Sequence, residues 1–338
     1  MKIKGLNRII PGGRHIESMG DNLLLYTLDD GMYCNGALIS PTYLYPYLNY
    51  DGGHYLRSSE PPAIYRLDSE SNSIGLCVSR SRRIRLGTSD EWLLLGRYKN
   101  REHTYTLELE GKVIWTKTTS FSQVIQVGPY ALFYQGRGQL ESSCQLIELT
   151  TGAVVWELDH PDAYISQVYP YEDKVVIVWF WELGTKGTSR VLCVEVPSGK
   201  VLWENDASRE YKKYGEDKLV QFYVHYWEDG NDDEDLYTEL DVHTGEVYTR
   251  RYPGYNANVF VTTIYKDYLF YGAEKHNAYV GAIDLRTHEM LDEVKVDFTP
   301  GDFNHIQSIG VHDGQLYVEI QTELDHSDIH VLDLDEDE

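Results

Sequence analysis

A chain of 338 residues with 54 Asp and Glu against 30 Lys and Arg carries a formal charge of −24, a field that repels nucleic acid and anionic membrane surfaces and attracts cationic proteins. Aromatic residues make up 13%, including 28 Tyr, which suits β-sheets, and the scarcity of long runs with a 3.6-residue period argues against helical domains. No apolar stretch approaches the roughly 20 residues that span a bilayer, and the first ten residues hold neither an apolar signal core nor a small-residue cleavage site, so the expected location is the cytoplasm.

From the N-terminus, residues 3–10 read as a strand without a sequence-local partner, and residues 26–39 as at most a compressed repeat unit. Residues 64–72, followed by Ile74-Gly-Leu-Cys-Val78, are a degenerate copy of a pattern that then becomes explicit. Between them and the clear copies, Arg80-Ser-Arg-Arg-Ile-Arg85 is a short basic run with arginines on both faces of a strand, read as solvated or internally paired. Gly111-Lys-Val-Ile-Trp115, Gly152-Ala-Val-Val-Trp156 and Gly199-Lys-Val-Leu-Trp203 repeat at intervals of 41 and 47 residues, and Gly245-Glu-Val-Tyr248 comes after 46, its aromatic one place early.

Each unit reads alike: an apolar run (residues 130–134, 174–179, 218–224), an alternating strand (144–150, 191–196, 236–242), a turn at Thr151-Gly152, Ser198-Gly199 or Thr244-Gly245, and the strand with the aromatic. Glycine takes the positive φ such a turn needs. Residues 282–288 keep the phase without the Gly, and residues 331–335 repeat the strand once more. A recurrence of about 40–50 residues is that of four-stranded propeller blades. The expected fold is therefore all-β: one β-propeller domain over residues 1–338, with repeat corners near 72, 111, 152, 199, 245, 288 and 337. These corners imply seven blades, or eight if residues 26–39 form a blade. The last strand lacks a partner after it, so residues 3–10 are expected to pair with the C-terminal blade and close the ring.

The pattern Asp/Glu-x-x-Thr-Gly-x-Val-x-Trp, clearest over residues 149–156 and 196–203 and looser over 109–115 and 240–248, resembles the repeat of the quinoprotein-like, or PQQ-repeat, propellers. The resemblance covers about the middle half of the chain. It implies that the outer-strand aromatic docks against the neighbouring blade. Enzymes of that superfamily that bind the quinone are longer, exported chains with adjacent cysteines beside the cofactor and a calcium site. Here Cys34, Cys77, Cys144 and Cys193 are 43, 67 and 49 residues apart, which reads as buried thiols in a reducing compartment. No cofactor and no metal are therefore expected.

Catalytic motifs are missing: there is no His-Glu-x-x-His, Gly-x-Ser-x-Gly, P-loop or Gly-x-Gly-x-x-Gly. The twelve His are scattered without ligand spacing. The run Glu228-Asp-Gly-Asn-Asp-Asp-Glu-Asp235 fails as an EF-hand loop, since Glu234 stands where Gly is required. The acidity itself is lopsided. Residues 1–101 hold 13 basic and 10 acidic residues, and the remainder 17 and 44, so the charge runs from +3 to −27.

Function is therefore sought where the repeat is broken by aromatics beside acids. The candidate partner-binding residues are Trp179, Trp181, Tyr211, Tyr214, Trp227, Glu228, Asp229, Asp232, Asp233, Glu234 and Asp235, the composition of an aromatic anchor with a charged rim. The expected role is a non-enzymatic protein-binding propeller, a monomer when free, with a basic protein partner and no nucleic-acid or membrane partner. In composition it is similar to the immunity proteins of bacterial toxin systems, which implies an antitoxin that occludes a basic toxin domain. A carbohydrate-binding or carbohydrate-active propeller and a scaffold subunit of a cytoplasmic complex are the alternatives.

Overall fold

Alternating apolar strands separated by short turns have one inexpensive way to satisfy their backbone groups, which is to pair each strand with the next as an antiparallel meander. The computed structural model does this throughout. It describes all of the chain except residues 20–21, 28–30, 51–52, 60–61, 69–72, 79–82, 87–91, 100–101, 110–111, 136–140, 162, 184–185, 208–210, 226–233, 275–277, 292, 297–304, 324–325 and 336–338. The described strands form eight sheets, and no helix long and apolar enough to cross a membrane occurs among the described residues.

After β1 (Lys2–Ile10), sheet I holds β2 (Gly13–Met19), β3 (Asn22–Thr27), β4 (Gly31–Cys34) and β5 (Ala37–Ser40). Sheet II holds β6 (Tyr45–Tyr50), β7 (Gly53–Ser59), β8 (Pro62–Asp68) and β9 (Ser73–Val78), and sheet III β10 (Arg83–Leu86), β11 (Trp92–Lys99), β12 (Glu102–Leu109) and β13 (Lys112–Thr119). Sheet IV comprises β14 (Gln123–Val127), β15 (Tyr130–Tyr134), β16 (Glu141–Glu148) and β17 (Val154–Pro161). Sheet V comprises β18 (Ala163–Pro170), β19 (Lys174–Leu183), β20 (Lys186–Glu195) and β21 (Val201–Ala207). In sheet VI are β22 (Lys212–Tyr214), β23 (Lys218–His225), β24 (Glu234–Asp241) and β25 (Val247–Pro253). Sheet VII has β26 (Ala257–Tyr265), β27 (Tyr268–Glu274), β28 (Ala278–Asp284) and β29 (Glu289–Met290), with β30 (Val294–Lys295) also on β28. Sheet VIII orders β1 outside β33 (His326–Asp335), β32 (Gln315–Glu323) and β31 (His305–His312).

Seven repeat corners predict seven units, and the strands make eight sheets. The additional one is sheet I, whose strands are short enough to fit within residues 13–40. Its last hairpin turns on Asn35-Gly36, with φ of 50° and 83°, the residue pair that a two-residue hairpin of this hand favours. The apolar runs 130–134, 174–179 and 218–224 are the second strands of their sheets. The first strands β14, β18 and β22 precede them, and first strands of neighbouring sheets touch, as β10 does β14, β14 does β18 and β26 does β31.

The repeat motif explains the joints. At four corners the amide of the turn residue donates to a carbonyl four residues back: Gly152 to Glu148, Gly199 to Glu195, Gly245 to Asp241 and His288 to Asp284. The acid that opens the motif caps the same turn, Glu148 accepting from Thr151 Oγ1 at 2.6 Å, Glu195 from Ser198 Oγ and Asp241 from Thr244 Oγ1 at 3.1 Å. Each tryptophan lies on the corner glycine of the following sheet and donates its indole N–H to a backbone carbonyl there: Trp115 to Leu149 (2.7 Å), Trp156 to Val196 (2.7 Å) and Trp203 to Val242 (3.0 Å). A Cβ on Gly152, Gly199 or Gly245 would stand 2.9, 2.6 or 2.6 Å from the nearest ring atom. At the next joint Tyr248 replaces Trp and His288 replaces Gly, at φ 57°, with the two rings stacked 4.7 Å apart.

Apolar clusters fill the spaces between sheets. Cys144 and Leu146 of sheet IV meet Ile165, Ile177 and Trp179 of sheet V, and Cys193 of sheet V meets Leu219, Leu240 and Val242 of sheet VI. Sheet I joins sheet VIII through Ile16, Leu23 and Leu25 against Tyr317, Ile329 and Val331. Residues 174–180 are buried without interruption because β19 has a sheet on each side. The cysteines Cys34, Cys144 and Cys193 are fully buried, and burial raises the pKa of Cys34 and Cys193 to about 11. The Cys77 side chain lies outside the described residues, as do those of the basic run 80–85.

Strand β1 pairs antiparallel with β33, from Lys2 opposite Asp335 to Ile10 opposite Ile329. Lys4 Nζ sits 2.9 Å from Asp335, and Asn7 donates to both oxygens of Asp333 at 2.8 Å.

Candidate interaction face

In a four-stranded meander the hairpin between second and third strands and the connection to the next sheet fall at the same end, opposite the corner turns. This places the described residues that flank these connections, Leu183 and Lys186, Ala207 and Tyr211, His225 and Glu234, at one end of sheets V and VI.

Three candidates are withdrawn by burial. Trp179 is 0% exposed, packed between sheets IV and V with its ring 4.8 Å from His160. Tyr211 is 2% exposed: its amide donates to Gln167 Oε1 at 3.0 Å, and its carbonyl accepts from Tyr169 Oη at 2.7 Å. Asp235 is 1% exposed, and its carboxylate accepts the backbone N–H groups of Tyr255 (2.6 Å), Asn256 (2.9 Å) and Ala257 (2.7 Å). These side chains hold joints between sheets and present no surface to a partner. Their departure from the repeat has a structural cause.

Tyr214 is displaced to the other end. It closes β22 at the corner side, where its hydroxyl donates to Asp267 at 2.9 Å, and burial followed by this carboxylate pushes its pKa up to about 12. Glu234 is half-buried and paired with Arg251 at 3.1 Å. Trp181 takes its place in β19 opposite Ala163 and Thr188, its side chain outside the described residues. Trp227, Glu228, Asp229, Asp232 and Asp233 lie outside the described residues.

The structure adds one residue that sequence reasoning misses. The register of β26 against β27 passes from Ala257 opposite Ala273 to Thr262 opposite Tyr271, so five steps on one strand match two on the other. The three surplus residues form a bulge, held by Phe260 N–H to Asn258 Oδ1 (3.0 Å) and Thr262 Oγ1 to the Val259 carbonyl (3.2 Å). Phe260 is 67% exposed, more than any other large apolar side chain described. It lies near the start of β26, just after the backbone that Asp235 clamps, and the acidic segment 226–233 leads directly into β24 at Glu234 and Asp235. Glu234 and Asp235, the first described residues of β24, and a solvent-facing aromatic are therefore tied together at one end of sheets VI and VII. Such a bulge leaves no periodic trace, and the run Val259-Phe-Val261 reads as ordinary core strand.

Among the described residues no three His, Cys, Asp or Glu side chains converge as metal ligands. No family model matches the sequence, and no curated protein matches it either. Among solved structures, the chain is similar to the Dos1 propeller, with 12% identity over 96% of this chain and 95% of that one and a TM-score of 0.53. A second is the protein lmo1340 of Listeria monocytogenes EGD-e, with 12% identity over 73% and 76% of the two chains and a TM-score of 0.41. The likeness to the Dos1 propeller along nearly the whole of both chains, with successive four-stranded antiparallel sheets, gives this chain the β-propeller fold.

Proposed function

We propose that this propeller is a non-catalytic binding protein whose connection face captures a basic protein partner, in the manner of an antitoxin that occludes a toxin domain. The observation that carries the reading is Phe260, 67% exposed just after the backbone of residues 255–257 that Asp235 clamps. Leaving a Phe in water forgoes about 1.5–3 kcal/mol of burial, which a partner covering it would recover. The carboxylates supply steering rather than most of the affinity. The eight sheets are read as eight blades of one ring closed by β1 on β33, and the Trp-on-Gly joints support kinship with the quinoprotein-like repeat. A cytoplasmic location is in keeping with the buried thiols of Cys144 and Cys193, which form no disulfide.

The test is a pull-down from the native host with the wild type and Phe260→Ser, combined with co-expression of any toxin-like neighbouring gene. A basic protein retained at low salt, released by added salt and lost with Phe260→Ser, together with neutralised toxicity, supports the reading. Retention unaffected by salt and by Phe260→Ser removes it.

A further inference from the structure

Of twelve exposed large apolar side chains among the described residues, eight stand in pairs at the start of four consecutive outermost strands: residues 113–114, 154–155, 201–202 and 247–248. In the first three strands the second member is a bulge. Pairing passes from Leu107–Trp115 to Glu108–Val113, from Leu146–Trp156 to Ile147–Val154 and from Cys193–Trp203 to Val194–Val201, which leaves Ile114, Val155 and Leu202 without a partner position. A bulge re-aims the following Trp and blunts the sheet edge. Neither task calls for an apolar side chain in water, and a repeated exposed apolar row on a monomer marks a contact surface.

The residues after the aromatic distinguish the four strands. Strands β17 and β21 both continue Glu-x-Asp, with Glu157, Asp159, Glu204 and Asp206 all exposed, whereas β13 carries Lys117 and β25 carries Arg250 and Arg251. Part of this charge is engaged internally, Glu204 with Arg190 at 2.7 Å and Glu157 with the Gln145 amide at 3.1 Å. Four carboxylates against the Arg190 guanidinium and the Lys117 ammonium near Glu157 still leave the pair of strands acidic. Both strands are outermost in their sheets, so one edge of each is unpaired in the sheet order.

We infer that β17 and β21 form a second docking surface, on the rim, for an extended segment of alternating apolar and basic residues. Its apolar side chains meet Val154, Val155, Val201 and Leu202, its cations meet the two Glu-x-Asp pairs, and its backbone is free to bond a strand edge. The inference rests on the reading that the acidic half of the chain receives a cationic partner, but it concerns a surface separate from Phe260. Self-association through this row is opposed by the −24 charge of each copy.

The probe is a fluorescein-labelled, capped peptide of four Lys-Val repeats, followed by anisotropy on the full chain, with a Glu-Val peptide as control. Substituted side chains are exposed, and unchanged thermal unfolding verifies that each variant is folded. Val155→Ser/Leu202→Ser is expected to weaken binding about tenfold, Glu157→Gln/Glu204→Gln to weaken it and flatten its salt dependence, and Phe260→Ser and Glu323→Gln to leave it unchanged. The inference is overturned if the peptide fails to bind at millimolar concentration, if the rim variants bind like wild type, or if Glu323→Gln weakens binding as much as the rim pair. Loss on Phe260→Ser also overturns it and moves the site to the connection face. A dimer in sedimentation that Val155→Ser/Leu202→Ser dissolves overturns it in favour of a second copy. The pull-down with Phe260→Ser is independent of all these outcomes.

Discussion

Replacing Gly199 by Ala isolates the contribution of a single Trp joint. The backbone there has φ of 70°, and an added Cβ would stand 2.6 Å from Trp156 Cγ and 2.8 Å from Trp156 Cβ. The left-handed conformation costs Ala about 1 kcal/mol. Restoring a contact of about 3.5 Å requires the indole to retreat by about 1 Å, which breaks the 2.7 Å bond from Trp156 Nε1 to the Val196 carbonyl. Losing that bond with a buried acceptor left behind adds about 2 kcal/mol. The expected total is about 3 kcal/mol. Gly215 provides the control, because at φ of 62° nothing lies within 4 Å of its added Cβ, so Gly215→Ala is expected to cost only about 1 kcal/mol. Guanidinium unfolding, followed by both tryptophan fluorescence and far-UV circular dichroism to verify a shared transition, reads the difference. In a Trp156→Gly background, which removes the Trp156 Cβ as well as the ring, the Gly199→Ala cost should fall to that of Gly215→Ala, a coupling of about 2 kcal/mol. Equal costs for the two glycines, or an undiminished cost without Trp156, would refute the joint.

The same geometry leads to three further expected outcomes. Asp235→Ala strands three amides, that of Ala257 buried, and is expected to destabilise by about 3 kcal/mol, with Asp235→Asn intermediate; faster hydrogen exchange at residues 255–257 locates the effect, and unchanged exchange there denies it. His288→Gly relieves the positive φ but removes the stack on Tyr248 and the bridge to Glu239 at 3.2 Å, so it should destabilise, whereas Tyr248→Trp/His288→Gly rebuilds the repeat's joint and regains the loss; simple additivity in a thermal-melt series counts against the exchange. The hydrogen bonds of Arg286 hold the Asp284 carboxyl below its usual range, and for Glu239 the bonds from Lys218, Tyr237 and His288 outweigh an opposing burial that is the largest single effect. A folded pKa below the unfolded value of about 4 means stability present above that pH and lost as pH falls through the folded values. Arg286→Gln should therefore flatten the acid limb of stability measured below about pH 4, and an unchanged limb contradicts the assignment.

The joints are legible in the sequence because each part of the motif has one local task. Gly152, Gly199 and Gly245 need positive φ and room for a ring, the acid four residues before them caps the turn, and Trp reaches across to the next sheet. Sheet I is legible in principle from Asn35-Gly36 but is easily passed over because its last two strands are only four residues each. The burial of the candidate residues is not legible, because composition does not tell whether Trp179, Tyr211 or Asp235 faces solvent or a neighbouring sheet. In a propeller the second and third strands are covered on both sides, so an unusual aromatic there is more often a joint than an anchor. Phe260 and the row at residues 154–155 and 201–202 depend on register shifts, which arise from pairing and not from side-chain period.

The pairing of β1 with β33 has a kinetic side. Ile10 and its partner Ile329 belong to the first and last strands, so this contact has almost the largest sequence separation the chain allows and carries a high loop-closure cost. A ribosome releases the N-terminal strand long before its partner exists. During synthesis that strand waits unpaired, open to mispairing with another chain. Moving residues 1–12 behind the C-terminus in a circular permutant would make the pair a local hairpin and should speed refolding.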